Sequence, residues 1–435
     1  MIQDNSSSQS SLIPMAIIGT LFFVFGFVTW INGALIPFLQ MVCQLTETQA
    51  LMVAFSFYVA YVVMALPMSW VLDKVGYRMG MVLGLVLIAV GALIFIPAAL
   101  TQEFAIFLFG QFVIGSGLTI LQTASNPYVV KIGPEESAAA RIAIMGLINK
   151  AAGALAPLMF TAMVLGEFSH ITAASLAELS DAERVAQIDA MATGLITPYI
   201  GMAIALAVLA VGLKYSSLPE IELDKVEDNA IDTGNTSILQ FPQLILGALA
   251  LFFYVGVEVI AGDTIGLYGS RLGIANATSL TTLTMIGMVV GYLLGLALIP
   301  RVLKQNVALL LSAVLGILLT FAIVFADPTS TNFAFLWGWI GYADLPDVLT
   351  YVALLGLANA MVWPAIWPLA LAELGKFTAR GSAILIMGIA GGAILPLLYG
   401  VLSDELSSQQ AYWAMLPCYL FIAFYAVKGY KLRNW

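Results

Sequence analysis

Twelve stretches of mostly apolar residues recur along this chain, each long enough for a helix to cross a bilayer, which takes roughly 20 residues. They fall at 12–39, 49–72, 79–100, 104–130, 142–165 and 192–213, then at 241–268, 279–300, 307–326, 348–372, 381–402 and 411–430. Of the 435 residues, 61% are hydrophobic and 9% charged, where an ordinary soluble domain carries about a quarter charged. A polytopic all-α membrane protein is expected, with the lipid bilayer as its first partner.

The longest stretch without hydrophobic periodicity, Lys214 to Gln240, splits the segments six and six. The expected organisation is an N-terminal six-helix bundle over 1–213, a cytoplasmic linker over 214–240 and a C-terminal six-helix bundle over 241–435. The halves repeat. Segment five with its preceding loop reads ARIAIMGLINKAAGALAPLMF from Ala140, and segment eleven with its own reads ARGSAILIMGIAGGAILPLLY from Ala379. Laid together without gaps, they match Arg141 with Arg380, Gly153 with Gly392 and Pro157 with Pro396, as duplicated bundles do. By the same symmetry segment ten pairs with segment four, and segment seven with segment one.

Basic residues set the orientation. With both termini cytoplasmic, the inside holds Lys74, Arg78, Lys131, Arg141, Lys214, Lys225, Arg301, Lys304, Lys376, Arg380, Lys428, Lys431 and Arg433, which is 13 of the 16 Lys and Arg. Only Arg184 and Arg271 then lie outside, and Lys150 lies within a segment. The N-terminus, MIQDNSSSQSS, lacks a basic n-region and reads as a polar tail.

Several classes are excluded. His170 is the only histidine, and Cys43 and Cys418 are the only cysteines, so neither a histidine-based catalytic or metal constellation nor a disulfide framework can be built. A membrane enzyme would need acids or histidines clustered at a membrane edge, and the sequence has no such cluster. No enzyme, no cofactor and no nucleic-acid partner is expected, and the chain is expected to act as a monomer.

The segment from Gly115 to Pro134, GSGLTILQTASNPYVVKIGP, carries Gln122, Thr123, Ser125 and Asn126 halfway down an apolar helix that Pro127 is expected to stop or bend. Lipid offers such groups no hydrogen bonds, so they should face a cavity. The loop from Ser69 to Arg78, SWVLDKVGYR, resembles the G-x-L-A-D-R-x-G-R-R pattern that joins helices two and three in the major facilitator superfamily. Asp73 and Arg78 of that loop are the expected conformational latch, since Asp73 can accept from a helix N-terminus or pair with a basic group.

Longer stretches narrow the resemblance. FFVFGFVTWINGALIPFL (22–39), QTASNPYVVKIGPEESAAAR (122–141), FFYVGVEV (252–259) and GSAILIMGIAGGAILPLLYG (381–400) resemble the fucose–galactose–proton symporter family, and within it the glucose/galactose transporter branch. The resemblance implies two six-helix bundles that rock about a midplane sugar site in a bacterial inner membrane. Proton-coupled fucose transporters of that family carry an Asp in helix one and a Glu in helix four. The aligned residues here are Gly33 and Gln122, and neither can titrate.

Ionisable groups that remain at membrane depth are functional candidates. Glu258 stands mid-way along segment seven, with Asp263 about a turn further on, and both are expected to couple transport to a cation. Lys150 could be the counterion of Glu258, a sugar ligand or a snorkelling side chain. A sugar needs planar amides for adjacent hydroxyls and a flat apolar face for the ring. Asn32, Gln122, Asn126, Asn149 and Asn359 offer the amides. Trp363 offers the face, four residues after Asn359 and so on the same side of a regular helix, with Trp367 and Trp30 as further aromatics.

The expectation is thus an importer of a hexose-like monosaccharide coupled to a cation. Sodium is preferred, held by Glu258, Asp263, amides and carbonyls freed at helix breaks. The alternatives are a proton symporter using Glu258, a passive uniporter, and, from another class, a sugar sensor that does not transport.

Overall fold

The computed structural model describes residues 6–131, 138–166, 171, 175–176, 178–219, 237–299, 302–374 and 377–435. Among the described residues eleven helices are long and apolar enough to cross a membrane, and most of their bounds follow the expected segments, the sixth differing by starting at Asp181 rather than 192. The seventh expected segment, 241–268, is the helix Pro242–Arg271, and the ninth, 307–326, is Gln305–Phe325. The missing span is segment two, divided into Glu47–Val63 and Ala65–Val75 by a turn at Met64. Pro67 explains the break. It has no N–H for the carbonyl four residues back, and its ring crowds that carbonyl.

The helices are α1 (Ser6–Trp30), α2 (Asn32–Val42), α3 (Glu47–Val63), α4 (Ala65–Val75), α5 (Tyr77–Thr101), α6 (Phe104–Lys131), α7 (Ala138–Phe160), α8 (Asp181–Gly194) and α9 (Ile196–Lys214). They continue as α10 (Pro242–Arg271), α11 (Thr281–Leu298), α12 (Gln305–Phe325), α13 (Asp347–Asn359), α14 (Val362–Leu371), α15 (Thr378–Met387), α16 (Gly391–Glu405) and α17 (Met415–Val427). Segment four differs from expectation, because α6 runs through Pro127 to Lys131 without stopping. Segment ten also differs. It breaks at Ala360 and Met361, the carbonyl of Ala360 being the one that Pro364 cannot use.

Two compact units emerge. The first contains Met1–Ile31, Ser56–Ser169 and Glu178–Leu223; the second contains Asn32–Phe55, His170–Ala177 and Asp224–Trp435.

In the first unit α5 and α6 approach closely over small residues. A Cβ added at Gly84 would stand 2.8 Å from the Gly117 carbonyl oxygen, and one at Gly117 would stand 2.7 Å from that of Gly84. Such contacts let helices associate where lipid removes the hydrophobic drive between them. Phe95 of α5 stacks on Tyr199 of α9 with centroids 4.3 Å apart.

In the second unit α10 is the centre, packed against α2, α13, α14, α16 and α17. Gly391 meets the Phe252 carbonyl so closely that no side chain fits between. In the first unit the corresponding pair of helices also meets at a glycine, with the roles exchanged: Gly26 of α1 meets the Asn149 carbonyl of α7. Segments one and five thus pack as segments seven and eleven do, the internal symmetry the repeat implies.

Candidate functional site

In the first unit the polar run of α6 divides by use. Thr123 donates to the Thr119 carbonyl at 2.7 Å and Ser125 to the Gln122 carbonyl at 3.5 Å, so these hydroxyls are spent on their own helix. Gln122 is half-buried and donates through Nε2 to the Tyr61 hydroxyl at 2.9 Å. That bond fixes the plane of the amide. Asn126, a turn further on, is exposed. Gln122 and Asn126 therefore share an accessible polar strip on α6.

Asn149 is partly buried and donates to the Phe22 carbonyl at 3.4 Å, tying α7 to α1. Lys150 is 9% exposed, and its ammonium lies over the Trp30 ring, 4.8 Å from the centroid. Of the readings open for Lys150, the snorkelling one does not hold: the charge is buried on an aromatic face, a cation–π contact. Trp30 is itself 2% exposed and covered by that ammonium, so its ring is not a free platform.

The latch pair is described only in part. The Asp73 side chain lies outside the described residues. Arg78 reaches the Ser216 carbonyl at 3.4 Å and so holds the chain just beyond α9.

In the second unit the sequence candidates gather around α10. Glu258 and Asp263 are both buried, at 7% and 1% exposure. Tyr254 shares a hydrogen bond with Glu258, and Tyr292, Tyr419 and Asp263 lie within electrostatic reach of the same carboxylate. Both Asp263 oxygens are without a hydrogen-bond partner among the described residues. A buried carboxylate in that position is tolerated as the neutral acid or with a cation upon it.

Asn359 is fully buried at the end of α13. Its Oδ1 accepts from the Tyr419 hydroxyl at 2.8 Å, and its Nδ2 has no partner among the described residues. Trp363 is half-buried, 6.2 Å from Tyr254 and stacked on Trp367 at 5.4 Å. The helix is interrupted between them at Ala360 and Met361, although both residues keep right-handed helical dihedrals. What they share is the tyrosine set of α10 and α17. Asn32 opens α2 and is fully buried.

α10 carries the two carboxylates expected to hold sodium. That helix is unbroken over its 30 residues, so it frees no carbonyls beside Glu258 and Asp263. Thr281 donates to the Gly262 carbonyl at 2.6 Å and Thr284 to that of Ala261 at 3.2 Å. Among the described residues no group of three His, Cys, Asp or Glu could hold a metal ion.

Sequence reasoning missed the tyrosines. Tyr61, Tyr254, Tyr292 and Tyr419 sit in apolar runs where they read as packing, and their distance in sequence from the amides leaves no local signal.

Comparison with known proteins places this geometry. Residues 18–390 match the family described as Major Facilitator Superfamily. The chain is 33% identical to a glucose/galactose transporter of Brucella abortus, over 98% of this chain and 97% of that one. It is 27% identical to the L-fucose-proton symporter of Escherichia coli, over 92% and 89%. The crystal structure of the E. coli fucose:proton symporter superposes with a TM-score of 0.69 at 25% identity, covering 96% and 98%. With that match across both repeats, the chain belongs to the major facilitator superfamily, in the group that includes glucose/galactose transporters and L-fucose-proton symporters.

Proposed function

We propose that this protein imports a hexose-like monosaccharide by alternating access, coupled to a cation that loads at Asp263 and Glu258. As a member of its superfamily it is a multi-pass membrane transporter and not an enzyme. The sugar reading draws support from the relatives' names and from amides whose orientation is fixed by tyrosines, Gln122 by Tyr61 and Asn359 by Tyr419. The moving bodies are the two six-helix halves, 1–213 and 241–435, joined by 214–240. The chain works as a monomer in a bacterial inner membrane.

One observation carries the coupling: a buried carboxylate, Asp263, with neither oxygen partnered among the described residues, beside a second buried carboxylate on the same helix. Its simplest ligand is a proton. A proton needs no cage of oxygens, and the E. coli relative is named as a proton symporter. Sodium is the second reading. What favours it is that the aligned proton carriers are absent, with Gln122 a neutral amide in a fixed hydrogen bond and Gly33 without a side chain.

Uptake of labelled hexose by proteoliposomes under an imposed pH gradient, or an imposed Na⁺ gradient, separates these. Proton coupling predicts accumulation with pH alone, indifferent to Na⁺; the reverse result assigns sodium. In either case Asp263→Asn should abolish accumulation above equilibrium while sugar exchange continues. Undiminished accumulation in that variant would remove Asp263 from the mechanism.

A further inference from the structure

After α17 the chain stays against the second unit and takes a defined shape. One turn of 3₁₀ helix, Gly429–Lys431, follows directly, closed by the Lys431 N–H on the Lys428 carbonyl at 3.0 Å. Arg433 braces the next residues. Its Nε donates to a Glu373 carboxylate oxygen at 3.0 Å and its Nη1 to the Tyr430 carbonyl at 2.7 Å. Trp435 donates through Nε1 to the Leu239 carbonyl at 2.8 Å, in the turn Ile238–Gln240 that leads into α10. None of these residues serves the sugar or coupling sites.

Two kinds of surface are left over. Arg433 and Glu373 neutralise each other, whereas Lys428 and Lys431 are exposed, and neither meets a carboxylate among the described residues. The Lys431 ammonium lies over the Tyr430 ring, 5.4 Å from its centroid, a contact that steadies the charge without cancelling it. The other surface is apolar. Trp435 is 75% exposed and Leu239 62% exposed, although the one polar atom of that tryptophan side chain is already bonded.

The position of this patch says what covers it. Leu420, Phe424 and Val427 are exposed at i, i+4 and i+7 of α17, which is one stripe of a helix, and on a helix long enough to span a bilayer such a stripe faces lipid. Val427 ends the stripe and Lys428 follows it, so the lysines stand where acyl chains give way to headgroups. Tryptophan concentrates at that depth, and a lysine held near an anionic lipid surface strengthens attachment about fivefold. We infer that Lys428, Lys431, Trp435 and Leu239 form a binding site for an anionic phospholipid. The two ammonium groups take its phosphate, and the tryptophan and leucine pack on its glycerol and upper acyl chains. The distribution of basic residues assigns this end of α17 to the cytoplasmic leaflet. The site concerns the membrane alone and holds whatever sugar or cation is carried.

Two measurements on the full chain test it. In detergent, dioctanoyl phosphatidylglycerol should raise the melting temperature, and dioctanoyl phosphatidylcholine should not. Lys428→Gln with Lys431→Gln should raise the half-saturating concentration of phosphatidylglycerol by about twentyfold, two lysines at about fivefold each, while Lys428→Arg with Lys431→Arg should keep the original response. The site is overturned if phosphatidylglycerol gives no shift, if the Gln pair responds like the parent, or if the Arg pair loses the response as the Gln pair does. Inorganic phosphate is the remaining arm, and a shift as large as the lipid's would make this a site for a free anion and refute the lipid. The second measurement reads the apolar half. With Cys43 and Cys418 changed to Ser, Leu239→Cys carries a bimane label into vesicles of equal phosphatidylglycerol and phosphatidylcholine. Lipid bearing a nitroxide near its headgroup should quench the label more strongly than aqueous iodide does. The reverse order would put Leu239 in water and overturn the inference.

Discussion

At the scale of single residues, Gly33 shows how the structure explains a departure that the sequence exposes. The resemblance to proton-coupled fucose transporters sets Gly33 where an Asp is expected, and here a Cβ at that position would overlap the Thr281 side chain. Thr281 is in turn bonded to the carbonyl of Gly262, the neighbour of Asp263. A carboxylate therefore cannot occupy position 33 without displacing Thr281. Gly33→Ala should lower stability by about 1–3 kcal/mol, the usual effect of overpacking a close contact, read as a fall in melting temperature in detergent. Thr281→Ala should relieve part of that loss. A double-mutant cycle between touching residues shows coupling of about 0.5 kcal/mol or more; strict additivity would mean the two positions do not meet.

At the scale of elements, the spans were legible and their interruptions were not. Apolar runs near the bilayer length define helices such as Gln305–Phe325 to within two residues of the expected bounds. Prolines mislead because their effect falls four residues upstream, on a carbonyl whose fate depends on what packs beside it. Pro127 leaves α6 continuous, whereas Pro67 and Pro364 each stand just after a break. The site was half legible for a related reason. Gln122 and Asn359 stand out as amides in apolar helices, but the tyrosines that orient them are 61 and 60 residues away. The break before Pro364 falls between Asn359 and Trp363, so healing it should disturb the site more than the fold. Pro364→Ala should raise stability, by up to about 3 kcal/mol if the helix closes fully. It should also weaken sugar affinity several-fold, as Asn359 and Trp363 are drawn into a regular helix. An unchanged affinity, measured by titration calorimetry beside the melting curve, would show that the break does not shape the site.

At the scale of the whole molecule, orientation decides which side of the membrane each turn faces. Spans alternate, so the side that holds the termini fixes the side of every turn, and charge is the only evidence the sequence offers for that choice. With the termini inside, 13 of the 16 basic residues lie in the cytoplasm; turning the chain over would strand the same residues outside, against the bias that governs insertion. Tyr215, just after α9, is 79% exposed, and Trp339, in the turn between α12 and α13, is 71% exposed, so each accepts a reporter cysteine with little effect on packing. In a chain without Cys43 and Cys418, an impermeant maleimide applied to intact cells should label Trp339→Cys and leave Tyr215→Cys unlabelled until the membrane is opened. That pattern places both termini on the cytoplasmic side, as the distribution of basic residues requires. The opposite pattern would place both termini outside and overturn the orientation that the charges assign.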